Sequence, residues 1–241
     1  MSVQPKVKQT NESERMTLII YQELKQRTID GKYAPGEKFN QSKIAREFNV
    51  SRTPVIKALS LLEADGIVDN IPQKGYYVHR LSVRDLYECY VLKIALETSI
   101  VEDVIKNATK KDIEDLKKIF APFAAAQDLI DGKAYEKADR QFHGKLIQIS
   151  QNKLIIKIYQ SNNLSFRNYQ AGLFRNPNET LPEHLAIISE IELGNEQNAR
   201  ELINKHTLLT KHKIENFMNN LAEMGINPDE FSIHSTKDMD K

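Results

Sequence analysis

The run Ile44–Leu59, IAREFNVSRTPVIKAL, reads as a short helix, a tight turn and a second helix. Ile44, Ala45, Phe48 and Val50 carry apolar side chains at spacings that pack the first helix against the second. Asn49 tolerates the left-handed backbone that ends a helix, so it suits the turn. Ser51 is placed to cap the second helix, and Pro54 falls in its first turn, where no backbone N–H is needed. Val55, Ala58, Leu59 and Leu62 form the buried stripe of that helix. Arg52, Thr53 and Lys57 are left on its open side. A helix with an arginine near its exposed N-terminus, braced by another helix, has the form that enters a DNA major groove. Ser51, Arg52, Thr53 and Lys57 are therefore candidate DNA contacts.

The flanking sequence extends this reading. Residues 1–12 are polar and aperiodic, a flexible arm by expectation. From Ser13 the pattern Met16, Ile19, Ile20, Leu24 predicts an amphipathic helix that ends near Gly31, with Pro35-Gly36 beyond. After the second helix of the motif, Ile67-Val68-Asp69 and Tyr76-Tyr77-Val78 read as two short strands joined through Pro72–Gly75. Helix, helix-turn-helix and β-hairpin in that order make a winged helix over residues 13–78. The wing tip offers Lys74 and Gly75, a cation beside a residue with no side chain, as further DNA-contact candidates. The net charge of the 241-residue chain is only +1, but residues 15–80 hold 11 Lys/Arg against 7 Asp/Glu, whereas residues 81–241 carry −3. The positive excess lies in the segment expected to meet phosphates.

The run from Tyr33 to Val78 resembles the N-terminal domain of the GntR family of bacterial transcription regulators. The matching pieces are Pro35-Gly36-Glu37, Ser51-Arg52-Thr53-Pro54-Val55, Ala58-Leu59, Leu62-Glu63, Gly66 and Gly75. One departure stands out. The family usually places a base-reading arginine, often followed by a glutamate, after the Pro-Val pair, and this chain has Ile56 and Lys57 there. Arg52 is thus the one recognition-helix arginine that the resemblance carries over, and an altered operator sequence is expected.

Beyond a linker at residues 79–83 the pattern changes. Ser82 with Asp85 and Thr109 with Asp112 read as capping boxes that open helices. Further helical periodicity runs over about 133–149, 152–171, 182–193 and 196–221, and Asn176-Pro177-Asn178 reads as the clearest loop. No strand pattern follows Val78. The expected fold class is mainly α: an N-terminal winged helix-turn-helix with a small β-hairpin, then an all-α bundle of about six helices over residues 84–222. Residues 223–241 read as a polar tail, frayed from about residue 225. No apolar run approaches the ~18–20 residues that cross a bilayer, and no secretory pattern opens the chain. Cys89 is the single cysteine, which excludes an intrachain disulfide; a buried hydrophobic role and a cytoplasmic location are expected.

Within the bundle, Asp139 and His143 stand four apart and share one helix face, as two ligands of one metal ion must. His184 opens a later helix and His206 sits midway along the last. One carboxylate and three imidazoles suit Zn²⁺, Ni²⁺, Mn²⁺ or Fe²⁺. The alternative is a set of buried, hydrogen-bonded histidines. The order Asp-x3-His, Asn152, Glu183-His184, Gly194, Ala199, His206 is also similar to the FCD ligand-binding domain of the fatty-acid-regulator-like subgroup, over about residues 84–222. That resemblance implies a divalent-metal site made by Asp139, His143, His184 and His206, with room for a small carboxylate effector. It places Lys93, four residues before Glu97, where the subgroup tends to have an arginine. Lys93 and Arg167 are the candidate effector-binding cations, a surface or dimer-interface position being the alternative for both. His79, His212 and His234 have no matching role.

The function expected is a homodimeric regulator of operator DNA, a repressor by family habit, whose affinity is controlled by a small organic acid at the metal site. Two alternatives stand beside it. The metal could be structural or itself the thing sensed, with no organic effector. A metalloenzyme fused to a DNA-binding part is the other. No H-E-x-x-H general base, nucleophile motif or phosphate-binding glycine loop supports that reading, so no catalytic residue is assigned.

Overall fold

The computed structural model describes residues 12–124, 130–161 and 175–232. The chain divides into two units, Met1–His79 and Arg80–Lys241.

In the first unit, helix α1 (Glu12–Ile29) buries Thr17, Ile20, Leu24 and Thr28, one residue per turn, against the recognition helix. Helix α2 (Gln41–Glu47) starts at Asn40, whose side chain accepts a hydrogen bond from the Lys43 amide. Asn49 adopts φ 52°, so the expected left-handed turn is present. Helix α3 (Arg52–Ala64) buries Pro54, Val55, Ala58, Leu59 and Leu62. Burying each of the larger aliphatic side chains is worth about 1.5–3 kcal/mol, which fixes the rotation of α3 and hence the face it leaves open. Ser51 stands at the N-cap, but its side chain makes no capping hydrogen bond, which leaves the hydroxyl available.

Strands β1 (Val68–Ile71) and β2 (Gly75–Val78) pair antiparallel with Val68 opposite Val78 and Ile71 opposite Gly75. Both partners of the first pair are buried and bind the hairpin to the core. Gln73 (φ 62°) and Gly75 (φ 99°) make the reversal between the strands. Lys38 bridges to Tyr77 on the free side of β2, supported by a hydrogen bond from the Phe39 amide to the Tyr76 carbonyl.

The second unit is helical. Among the described residues it consists of α4 (Val83–Ser99), α5 (Val101–Asn107), α6 (Lys110–Ala124), α7 (Gly132–Ile149), α8 (Lys153–Ser161), α9 (Pro177–Leu193) and α10 (Glu196–Glu223). Both capping boxes form: Ser82 and Asp85 open α4, and Thr109, just before α6, pairs with Asp112 in its first turn. Helix α10 lies along α4 and α9; α6 packs on α7 and α9. The core between them is built from Leu116, Phe120, Tyr135, Phe142, Ile147 and Ile187, with other aliphatics around them.

Three local features differ from the expectation. The helix opened by Ser82 ends at Ser99, and a short helix that the sequence pattern did not indicate, α5, follows from Val101. Asn176-Pro177-Asn178 is a helix start rather than a loop: Asn176 caps α9 by accepting from the Asn178 amide, and Pro177 occupies the first helical position, where its missing N–H costs nothing. The polar tail is not frayed at its beginning. Phe231 packs on Phe217 and the α4–α10 core, its carbonyl accepts from the Val83 amide, and Ser232 bridges to Ser82. Arg167 and His234 lie outside the described residues.

Candidate metal centre and nucleic-acid face

The DNA-facing candidates sit where burial of the opposite stripe leaves them. Arg52, Thr53 and Lys57 are exposed on α3, Ser51 is exposed at its cap, and Ile56 beside them is 39% exposed. Lys74 is exposed at the hairpin tip, next to Gly75. A β-carbon on Gly75 would meet ordinary van der Waals contacts, the nearest Lys38 Cε at 3.6 Å, so the positive φ and not crowding is what favours glycine there. Lys43 and Arg46 on α2 are also exposed and were not among the expected contacts. The first helix of such motifs crosses the phosphate backbone, so two cations on it were a readable signal.

In the second unit, α7 brings Asp139 and His143 to one face, α9 adds His184 and α10 adds His206. One ligand-capable atom from each of the four lies within 4.8 Å of the others. His184 Nε2 is 3.3 Å and His143 Nε2 3.8 Å from Asp139 Oδ1. The three imidazoles are buried, with Asp139 partly open. Each ring has a second neighbour at Nδ1. The Tyr135 hydroxyl is hydrogen-bonded to His184 Nδ1 at 2.9 Å and in turn accepts from Thr180. Glu183 Oε2 stands 2.7 Å from His206 Nδ1 and accepts from Nη1 of the buried Arg175, whose Nη2 donates to Glu183 Oε1. Glu97 Oε2 stands 3.0 Å from His143 Nδ1.

The nitrogens turned the other way have nothing to bond. His143 Nε2 and His184 Nε2 are buried without a hydrogen-bond partner, as is His143 Nδ1 despite its nearness to Glu97, and Glu183 contacts His206 at Nδ1, not at Nε2. Unpaired buried nitrogens cost free energy, and a cation between them and Asp139 removes that cost. The protonation states agree with this. Burial pushes all three imidazoles below their usual pKa, against the pull of nearby carboxylates. Burial would raise the Asp139 carboxyl, but the electrostatic influence of the nearby His143, His184 and Lys93 holds it well below the usual carboxylate range. Three neutral imidazoles and one carboxylate are the ligand forms a divalent ion needs. Ordinary histidines of a hydrogen-bonded core would not leave two inward nitrogens unpaired. The cluster is therefore able to hold a metal ion.

Lys93 is not on the surface. It is 2% exposed, one turn before the fully buried Glu97 on α4. Cys89, on the same helix, is buried. His212 is exposed and His79 pairs with Asp69. Glu97, Tyr135, Arg175, Thr180 and Glu183 were not picked out as site residues from the sequence. Their only local signal is polar chemistry within apolar stripes, as at Glu183 beside His184.

Two family models match the chain: Bacterial regulatory proteins, gntR family, over residues 17–78, and the FCD domain over residues 88–208. The Uxu operon regulator of Haemophilus influenzae is 30% identical over 215 residues, covering 81% of this chain and 80% of the relative. The gluconate operon transcriptional repressor of Bacillus subtilis is 30% identical over 139 residues, 58% of this chain and 57% of the relative. In three dimensions the chain is similar to the transcriptional regulator GntR from Rhodococcus sp. RHA1, with a TM-score of 0.72 at 20% identity over 84% of this chain and 98% of the other. The chain belongs to the GntR family of DNA-binding bacterial transcription regulators and carries an FCD domain behind its winged helix.

Proposed function

We propose that the protein is an operator-binding repressor, acting as a homodimer, whose affinity for DNA is set by a small carboxylate bound at a divalent-metal site in the FCD domain. The observation that carries the metal half is the pair of buried, unpartnered nitrogens of His143 and His184 aimed at the ionised Asp139. Asp139, His143, His184 and His206 would hold the ion, with Zn²⁺ or Ni²⁺ the best match and Mn²⁺ or Fe²⁺ the next. When bound, the ion supplies a Lewis-acid anchor for a carboxylate. Around it Tyr135, Glu97 and Glu183 hold the imidazoles in orientation, which is the usual role of outer carboxylates and hydroxyls at such centres. Arg175 keeps Glu183 ionised and fixed, and Glu183 is held down to about 2 despite partial burial, by the hydrogen bonds of His206 and Arg175.

On the DNA side, Arg52 would read a base edge in the major groove. Ser51, Thr53 and Lys57 would support it on α3, and Lys74 with Gly75 would approach from the wing. One recognition helix reads too few bases for gene-level specificity, which favours a two-fold dimer on a two-fold operator. The names of the uxu and gluconate operon relatives, one of them a repressor, favour repression relieved by an acidic metabolite.

Thermal unfolding of chelated protein, titrated with Zn²⁺ or Ni²⁺ and then with a panel of carboxylates, tests this. The expected result is a rise in Tm with metal and a second rise with an acid that chelator abolishes. A response to metal with none to any acid would replace the effector by a structural or sensed metal. No response to metal would overturn the four-ligand centre.

A further inference from the structure

Beside the metal cluster, α4 buries a cation and an anion that do not satisfy each other. Lys93 and Glu97 are 2% and 0% exposed. Their closest approach is 3.9 Å, from Nζ to Oε1, too long for a hydrogen bond. Lys93 Nζ also lies over the ring face of Tyr90, 5.2 Å away, and within electrostatic reach of Asp139. Glu97 Oε2 accepts from the Thr207 hydroxyl at 3.4 Å and lies 3.0 Å from His143 Nδ1. Glu97 Oε1 is buried without any hydrogen-bond partner. The pair therefore offers an unspent donor and an unspent acceptor, one contact away from His143.

We propose that Lys93 and Glu97 read a hydroxyl group of the effector, which makes the effector a hydroxy-carboxylate and not a plain carboxylate. This rests on the effector site proposed above and narrows its ligand class. A hydroxyl is the group that both accepts and donates. Its oxygen can stand about 2.8 Å from each of two atoms that are 3.9 Å apart, accepting from Lys93 and donating to Glu97 Oε1. A carboxylate oxygen in the same place accepts from Lys93 but faces Glu97 with no proton to give, so one buried anion repels another. A methylene leaves both groups unpaired, and an unpaired buried charged group is the costliest case. In the free protein a water molecule can take this position, and a hydroxyl replaces it without losing either bond. The side chains are not interchangeable here: the compact ammonium of Lys93 suits a single oxygen, where an arginine fork in its place would favour a two-oxygen carboxylate.

The test is calorimetric binding to the zinc-loaded, full-length protein, with acids matched in pairs: malate with succinate, lactate with propionate, and gluconate with its singly deoxygenated analogues. In the pair that fits the pocket, the hydroxylated member should bind at least tenfold more tightly, because sites that hydrogen-bond a hydroxyl discriminate strongly against its absence. Glu97→Gln and Lys93→Met should each shrink that preference, with zinc binding measured alongside to show that the centre persists. Equal binding within each pair, or a preference that survives both substitutions in zinc-binding protein, would overturn the hydroxyl-reading role while leaving the effector site intact. Zinc-loaded protein that binds no member of any pair would overturn the effector site itself. If either variant fails to fold, the comparison in the unaltered protein still decides.

Discussion

Under the proposed function, Arg52 is the residue on which operator reading would turn. It is exposed on a helix whose opposite stripe is buried, and Ile56, one turn further on, is 39% exposed. Isoleucine has no donor for a guanine edge, but it can lie against a thymine methyl. A bidentate arginine–guanine contact is worth ~1–3 kcal/mol, so Arg52→Ala should weaken specific operator binding by about tenfold to a hundredfold per half-site. Non-specific binding should persist with an undiminished dependence on salt, since phosphate contacts from Lys57, Lys74, Lys43 and Arg46 remain. A competition assay against random duplex checks this, and unchanged specific affinity would remove Arg52 from base reading. At this scale the candidate site was unevenly legible. Asp139 and His143 advertise a shared helix face by their spacing, whereas Tyr135 with Thr180 and Glu97 with His143 meet across 45 and 46 residues of sequence. No local pattern marks such meetings. The burial of Lys93 was equally hidden, because a lysine in a helical stripe reads as solvent-facing until α10 is seen to cover α4.

At the scale of elements, start signals proved easier to read than internal breaks. Ser82–Asp85 and Thr109–Asp112 announce α4 and α6 because capping is a contact between residues three apart. The break at Ile100 has no glycine or proline to mark it, and α5 follows because its apolar residues, Val101 and Val104, face the core on a new axis. Pro177 was misread since Asn-Pro-Asn suits a turn as well as a cap, and only the apolar residues that follow decide between them. The α6 cap yields a pH prediction. Asp112 accepts from the Thr109 amide and hydroxyl and from Lys145, and these bonds, Lys145 first, hold its carboxyl at about 2. An unfolded aspartate titrates near ~3.9. The folded value being the lower one, the cap contributes fully above about pH 5 and is lost as pH falls through about 2. Asp112→Asn should therefore cost about 0.5–1 kcal/mol at pH 7, or ~1–4 °C in Tm, and the gap from the unaltered protein should close towards pH 2. A gap that stays constant across this range would mean that the charge of Asp112 contributes nothing.

For the whole molecule, the consequence of placing an effector centre in the Arg80–Lys241 unit and a DNA face in the Met1–His79 unit is thermodynamic and needs no route between them. If a hydroxy acid bound at the metal centre lowers operator affinity by some factor, operator DNA must lower the affinity for that acid by the same factor, because both are one coupling free energy. Couplings of this kind commonly span ~5–150-fold, so the effect lies within reach of calorimetry. The acid would be titrated into zinc-loaded protein with and without saturating operator duplex, and operator binding would be measured in parallel with and without saturating acid. The two ratios should agree. Chelation should bring both to one, since the acid then has no differential hold on either state. Operator binding that responds to the acid while acid binding ignores the operator would show that the acid acts elsewhere than on a folded, DNA-competent protein. A coupling that survives chelation would place the acid outside the Asp139–His143–His184–His206 centre, and the functional link between the two units would have to be sought through a different site.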